Sequence, residues 1–253
     1  MSLTAKLMLA PLLVAQALAT RVRLPRLPEA AGERSGQTGR GAPLRLLILG
    51  DSSAAGVGVA RQSDALAGRL SRALARLCGA RVDWQLLARS GITSAQCLLM
   101  LEDEFSAVAD IAVVVLGVND VTLQVPSARA VAARAAIANR LRNGHGVAHV
   151  VFAPLPPIGR FPGLPQPLRW VAGADARRHN QAVATWAESR DDVSHVPIDL
   201  PLNRGAMAGD GFHPGEPVYR VCGVALTMRR ALGRQQPTGS SALRRNACGR
   251  GRR

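Results

Sequence analysis

The stretch Leu44-Arg45-Leu46-Leu47-Ile48-Leu49 is almost wholly apolar and stops at Gly50-Asp51-Ser52-Ser53, with Gly56-Val57-Gly58 close behind. A short aliphatic run bounded by glycine reads as a buried strand. The switch to polar residues then puts Ser52 at the strand's carboxyl end, where a helix is expected to begin. In parallel α/β sheets this is the edge at which ligands and catalytic residues collect. Gly-Asp-Ser by itself fits an N-cap or a turn equally well.

Working outward from it, strand and helix patterns alternate. Strands are predicted over 44–49, 82–88, 110–116, 147–153 and 194–199, and helices over 62–77, 94–104, 127–142, 172–188 and 217–232. Strands separated by helices of this length predict a parallel sheet covered on both faces. Ile111 to Leu116 contains no polar residue, as expected of a strand buried on both sides. The Gly-, Pro- and Ser-containing segment 29–43 reads as a linker, so that 1–43 is an apolar segment plus linker and 44–232 the folded domain. Six prolines between Pro154 and Pro167 exclude regular structure there and predict a lid or pocket wall. The segment 233–253 is rich in Gly, Ser, Gln and Arg, has little to bury, and is predicted to be disordered.

The formal net charge of +15 points to nucleic acid only until it is located. Residues 1–45 hold seven basic and two acidic side chains, residues 229–253 hold eight arginines and no acid, and 46–228 is nearly balanced. With no basic helix interleaved with aromatics, nucleic-acid binding is not expected. Cys78, Cys97, Cys222 and Cys248 show no paired ligand spacing. His145 and His149 lie four apart, but Gly144 and Gly146 favour a turn over a metal site. Leu7 to Ala19 resembles the apolar core of a signal peptide, interrupted by Pro11 and Gln16 and followed by Arg21, Arg23 and Arg26. Export, attachment to a membrane surface through an interfacial helix, and a plain cytoplasmic helix all remain compatible with it.

Three further sites join Ser52. Ser90-Gly91 follows the second predicted strand, Gly117-Val118-Asn119-Asp120 the third, and Asp210-Gly211-Phe212-His213-Pro214 the last. The fold would bring all four to one edge. A neutral histidine can take a serine's proton, and a carboxylate can hold that imidazole in the right tautomer. The oxyanion formed when serine attacks an ester needs fixed donors, for which the Ser52 and Gly91 N–H groups and the Asn119 amide are candidates. Asp51 reads as a binder of loop amides and Asp120 as a local helix cap.

In these four blocks the chain resembles the SGNH/GDSL hydrolases, a family named for the Ser, Gly, Asn and His of its motifs. Gly50-Asp51-Ser52 matches the nucleophile block, Gly91 the glycine block, Gly117-Val118-Asn119-Asp120 the asparagine block and Asp210-Gly211-Phe212-His213 the last, over residues 44–228. Ser53-Ala54 departs from the leucine in the family's name. The resemblance implies a flavodoxin-like three-layer α/β/α fold with about five parallel strands, and ester or thioester hydrolysis without metal or cofactor. It implies Ser52, Asp210 and His213 as the triad and Ser52, Gly91 and Asn119 as the oxyanion hole. The Gly-x-Ser-x-Gly elbow of the general α/β-hydrolases is absent around Ser52, and Gly56-x-Gly58 lacks the third glycine of a dinucleotide loop. Phe161 and Trp170 from the proline-rich region, with Phe212 beside the base, are the expected substrate-binding residues. Their partner is a small-molecule or lipid ester. The alternative is a non-catalytic membrane-surface or carbohydrate-binding module that keeps the fold.

Overall fold

A computed structural model describes residues 3–233. In chain order its elements are α1 (Leu3–Arg23), β1 (Ser35–Thr38), β2 (Pro43–Gly50), α2 (Leu66–Cys78), β3 (Arg81–Ala88), α3 (Ser94–Glu104) and β4 (Ile111–Val115). There follow α4 (Val118–Thr122), α5 (Ser127–His145), β5 (His149–Phe152), α6 (Leu168–Glu188), β6 (Val193–His195) and α7 (Glu216–Gly233). The sheet order is β1-β3-β2-β4-β5-β6, with β2 to β6 parallel and β1 antiparallel to β3. This is the expected three-layer α/β/α arrangement, with one strand more than predicted.

Alternation along the strands builds the two faces. Leu44, Leu46 and Ile48 of β2, with Ile111 and Val113 of β4, pack on α2 and α7 through Leu66, Leu70, Tyr219 and Leu226. Leu47 and Leu49, with Ala112 and Val114, pack on α3, α5 and α6 through Leu101, Ile137 and Val183. Strands buried on both faces have no need of polar residues, which explains the continuous apolar runs. Helix ends follow local chemistry: Thr93 and Gln96 form a reciprocal capping box at the start of α3, and Gly79 and Gly146 close α2 and α5 in the left-handed conformation. Successive strands lie on opposite sides of β2, so its carboxyl end is the topological switch point at which a crevice opens.

The linker expectation needs correction. Residues 29–43 are not a linker: Ser35–Thr38 adds β1 to the sheet edge, and Ala30 is buried against the body. Gln62, itself buried, donates through Nε2 to the carbonyls of Ala30 (3.1 Å) and Ala55 (2.9 Å), while its N–H bonds Ala31 O (2.8 Å). That use of Gln62 delays α2 to Leu66. Helix α1 runs through Pro11 and Gln16, the residues that break the apolar run, and the Gln16 side chain anchors the helix to Gln166 O and the Leu168 N–H. His145 and His149 are held separately, His145 Nδ1 at 2.9 Å from Ala107 O and His149 Nε2 at 2.6 Å from Ser194 Oγ. The predicted tail 233–253 falls, beyond Gly233, outside the described residues, as does Cys248. Gln62→Leu strands two buried carbonyls, so urea denaturation should show a loss of about 1–3 kcal/mol; an unchanged midpoint would mean that 29–31 is not part of the cooperative unit.

Candidate active site

β2 delivers Gly50 to Val115 O, and the Asp51 N–H continues the ladder to the same carbonyl (3.1 Å). The chain then turns instead of starting a helix. The Ala55 N–H bonds Asp51 O and the Val57 N–H bonds Ser52 O, so Ser52 caps no helix and sits half-buried on a tight turn. The Asp51 carboxylate accepts the Ser53 N–H (3.0 Å), and the buried Tyr219 hydroxyl donates to Val57 O (2.7 Å). Gly58, with φ +103°, lies so close to Pro214 O that a Cβ would come within 2.1 Å of it. Only glycine permits this approach, by which the Ser52 turn meets the His213 loop.

In that second loop His213 Nδ1 lies 2.6 Å from Asp210 Oδ2. Asp210 Oδ1 accepts the N–H groups of Phe212 (2.9 Å) and His213 (3.0 Å), so one carboxylate fixes both the ring and the backbone carrying it. Burial alone would raise the Asp210 carboxyl, but the bonds from the His213 ring and these two N–H groups outweigh it and hold it below its ordinary range. The Asp210 side chain is almost fully buried, whereas the imidazole keeps about a fifth of its surface open to the cleft. A ring so held presents Nε2 outward.

The remaining groups come from the ends of β3 and β4. Gly91 is exposed, with φ +85° and open space where a Cβ would stand. The turn preceding it is held by Glu29, whose Oε1 accepts both the N–H (2.9 Å) and the hydroxyl (2.7 Å) of Ser90, while Arg34 bridges Glu29 to Ala88 O. Asn119 Nδ2 donates to Ile92 O (3.0 Å), which orients the amide and leaves its second hydrogen for a ligand. Among the described residues neither the Ser52 nor the Gly91 N–H is taken up by a protein acceptor.

Ser52, Gly91, Asn119, Asp210 and His213 all line one cleft of about 670 Å³. Its walls are mostly apolar and include Val57, Phe161, Leu200, Met207 and Phe212. Phe212 sits edge-on between Phe161 (ring centroids 5.4 Å apart) and the His213 ring (5.2 Å), and Gly163 N–H bonds Gly211 O. The proline-rich segment is thus a wall braced against the histidine loop. A serine, an imidazole paired with a buried carboxylate, and unpaired donors around one apolar cleft can carry out acyl transfer.

The profile of the GDSL-like lipase/acylhydrolase family matches residues 48–221, well over half of the chain. The chain belongs to that family. It is a hydrolase of ester bonds. A GDSL-like esterase of Mycobacterium tuberculosis is 28% identical over 243 residues, covering 87% of this chain and 77% of the relative. Among solved structures, the lipase Lip_vut3 from a goat rumen metagenome superposes with a TM-score of 0.60 at 19% identity, covering 74% of this chain and 97% of that one. TesA superposes with a TM-score of 0.54 at 24% identity, covering 76% and 98%. These two likenesses are of fold.

Of the residues read from sequence, this GDSL-family chain brings together all but one. Trp170 is half exposed on the outer side of α6, in a separate shallow depression with Arg160 and Arg177, away from the cleft. The buried stripe of α6 runs through Val171, Ala172, Asp175, Ala176 and His179, and Trp170 is off it. Asp120 is not the cap of its own helix, whose N-cap is Gly117 with no side-chain cap. Fully buried, it accepts the N–H (2.9 Å) and hydroxyl (2.5 Å) of Ser94 and pairs with Arg134 Nη2 (3.3 Å). Sequence reasoning missed Glu29, Tyr219 and Arg134, none of which lies in a motif, and it missed Arg21 and Leu24 to Leu27, which help line the cleft.

Burial pushes the Asp51 carboxyl up to about 6; the Ser53 N–H, His213 and Arg134 act against this, and the Asp120 charge adds to it. A carboxyl raised on folding favours the native state below its unfolded value of 3.8, and that contribution is lost as pH rises through about 6. The stability of the wild type relative to Asp51→Asn should therefore fall by up to about 3 kcal/mol between about pH 4 and pH 7. Urea denaturation of both proteins across that range is the measurement, and a difference independent of pH would show that Asp51 does not titrate there.

Proposed function

We propose that this esterase cleaves carboxylic esters of apolar acyl chains through an acyl-enzyme on Ser52. The observation that carries the reading is the Asp210–His213 pair opening into the cleft that Ser52 shares with unpaired N–H donors. Ser52 Oγ attacks the carbonyl carbon while its proton passes to His213 Nε2. Nδ1–H stays bonded to Asp210, whose fixed negative charge stabilises the imidazolium. The carbonyl oxygen, now an oxyanion, takes hydrogen bonds from the Ser52 N–H, the Gly91 N–H and Asn119 Nδ2. As the C–O bond breaks, His213 returns the proton to the departing alkoxide. A water then attacks the acyl-enzyme with the same histidine as base, releasing the acid and restoring Ser52. The proton that leaves with the alcohol is replaced from the attacking water, and the general base and oxyanion donors of this cycle are groups of the chain itself.

The acyl group is read from the cleft wall. Phe161, Phe212, Leu200 and Met207 offer a surface that an alkyl chain buries favourably, at about 0.8 kcal/mol per methylene. An ester with such a chain and a polar alcohol is an amphiphile, met at a lipid surface. On a p-nitrophenyl ester series from acetate to palmitate, kcat/KM should rise through the medium chains, and Ser52→Ala should fall to background at every length. Equal turnover by wild type and Ser52→Ala would end the proposal, and a flat chain-length profile would end its acyl-chain part. Asn119→Ala should lower kcat about 10²–10³-fold with little change in KM, since its donor matters most once the oxyanion exists.

A further inference from the structure

Helix α1 has two apolar faces. Leu9, Ala10, Leu13, Gln16, Thr20 and Leu24 are half-buried at helical spacing, and this is the face laid on the body, with Gln16 as its polar anchor. The other face is open. Leu7, Met8, Leu12, Val14, Leu18 and Val22 are between 47% and 85% exposed. At the α-helical turn angle these six occupy an arc of about 160°, and Arg21 and Arg23 fall one on each side of it. A contiguous apolar arc rimmed by charge marks a contact surface.

Charge and continuity say what covers it. The first 28 residues hold Lys6, Arg21, Arg23 and Arg26 and no acid. Among the described residues, none of Arg21, Arg23 and Arg26 has an ion-pair partner. No described helix is long and apolar enough to cross a membrane; an exposed apolar arc with an arginine at each edge suits α1 to lie in the plane of a lipid surface. Its end also runs into the cleft: Arg21, Leu24, Pro25, Arg26 and Leu27 line it together with Ser52 and Phe212.

We propose that α1 docks the protein on an anionic lipid surface, with Leu7, Val14, Leu18 and Val22 inserted and the mouth of the cleft at headgroup level. Arg21 and Arg26 then meet the headgroup charge where an acyl chain would leave the surface for the cleft. The docking stands by itself; the delivery of substrate rests on the esterase reading of the cleft given above.

The full chain carrying Ser52→Ala is sedimented with vesicles of phosphatidylcholine alone and of phosphatidylcholine mixed with phosphatidylglycerol. Binding should be stronger to the mixed vesicles by roughly fivefold for each engaged arginine. It should fall about tenfold or more when Val14→Asp and Leu18→Asp are introduced together, since two inserted side chains are lost. The same pair placed in the active enzyme should leave turnover of a soluble short-chain ester intact, which shows that the fold survives. Equal binding to both vesicles overturns the proposal. Binding unaffected by the pair also overturns it, because the arginines of 229–253 would then be responsible. So does a lipid-free dimer that the pair dissociates. If wild type and Ser52→Ala turn over esters equally while docking persists, the esterase reading fails and the docking does not.

Discussion

The buried Asp120 carboxylate is the joint on which the catalytic edge depends. It follows β4, yet its partners lie elsewhere: the N–H and hydroxyl of Ser94 at the start of α3, and the guanidinium of Arg134 in α5, which also reaches Leu116 O. Both Asp120 and Arg134 are sealed from solvent. Such a pair adds little net stability against an apolar replacement, but losing one partner leaves a buried charge at a cost of about 3–5 kcal/mol. What the joint secures is position. Ser94 lies three residues beyond Gly91 and Asp120 one beyond Asn119, so one carboxylate holds the glycine and asparagine loops at a fixed separation.

The histidine loop is organised on the opposite principle. Asp210 holds its partner ring and the loop's own N–H groups within four residues, so acid and base arrive as a prebuilt unit. The fold has only to dock that unit, through the Gly58–Pro214 approach on one side and the Gly163–Gly211 hydrogen bond on the other. Preassembly of this kind lowers the entropic cost of aligning three groups.

Much of this was legible in the chain because strand periodicity and motif placement point the same way. Gly50-Asp51-Ser52, Gly91 and Asn119 follow successive predicted strands and Asp210-x-x-His213 comes after the last, and parallel strands bring such positions to one edge. β1 was not legible: Ser35-Gly36-Gln37-Thr38 is polar, pairs along one side only, and carries no hydrophobic alternation. The helix expected after Ser52 failed because the glycines at 56 and 58 serve a turn and a backbone approach. The misplaced Trp170 was a failure of periodicity, since composition marked an aromatic near the pocket while the α6 stripe passed it by. Glu29 and Arg134 act across more than sixty residues and across two helices respectively, distances that no local pattern encodes.

The two outermost strands bear on how the molecule meets its neighbours. β1 has four residues and β6 three, so each margin of the sheet presents only a brief row of unpaired backbone groups. Long, flat margins recruit strands from other chains and seed aggregates; short ones give an incoming strand little to hold. Self-association by strand addition is therefore disfavoured even though the centre of the sheet is among its most aliphatic parts. The sticky interior is shielded at its sides by brevity.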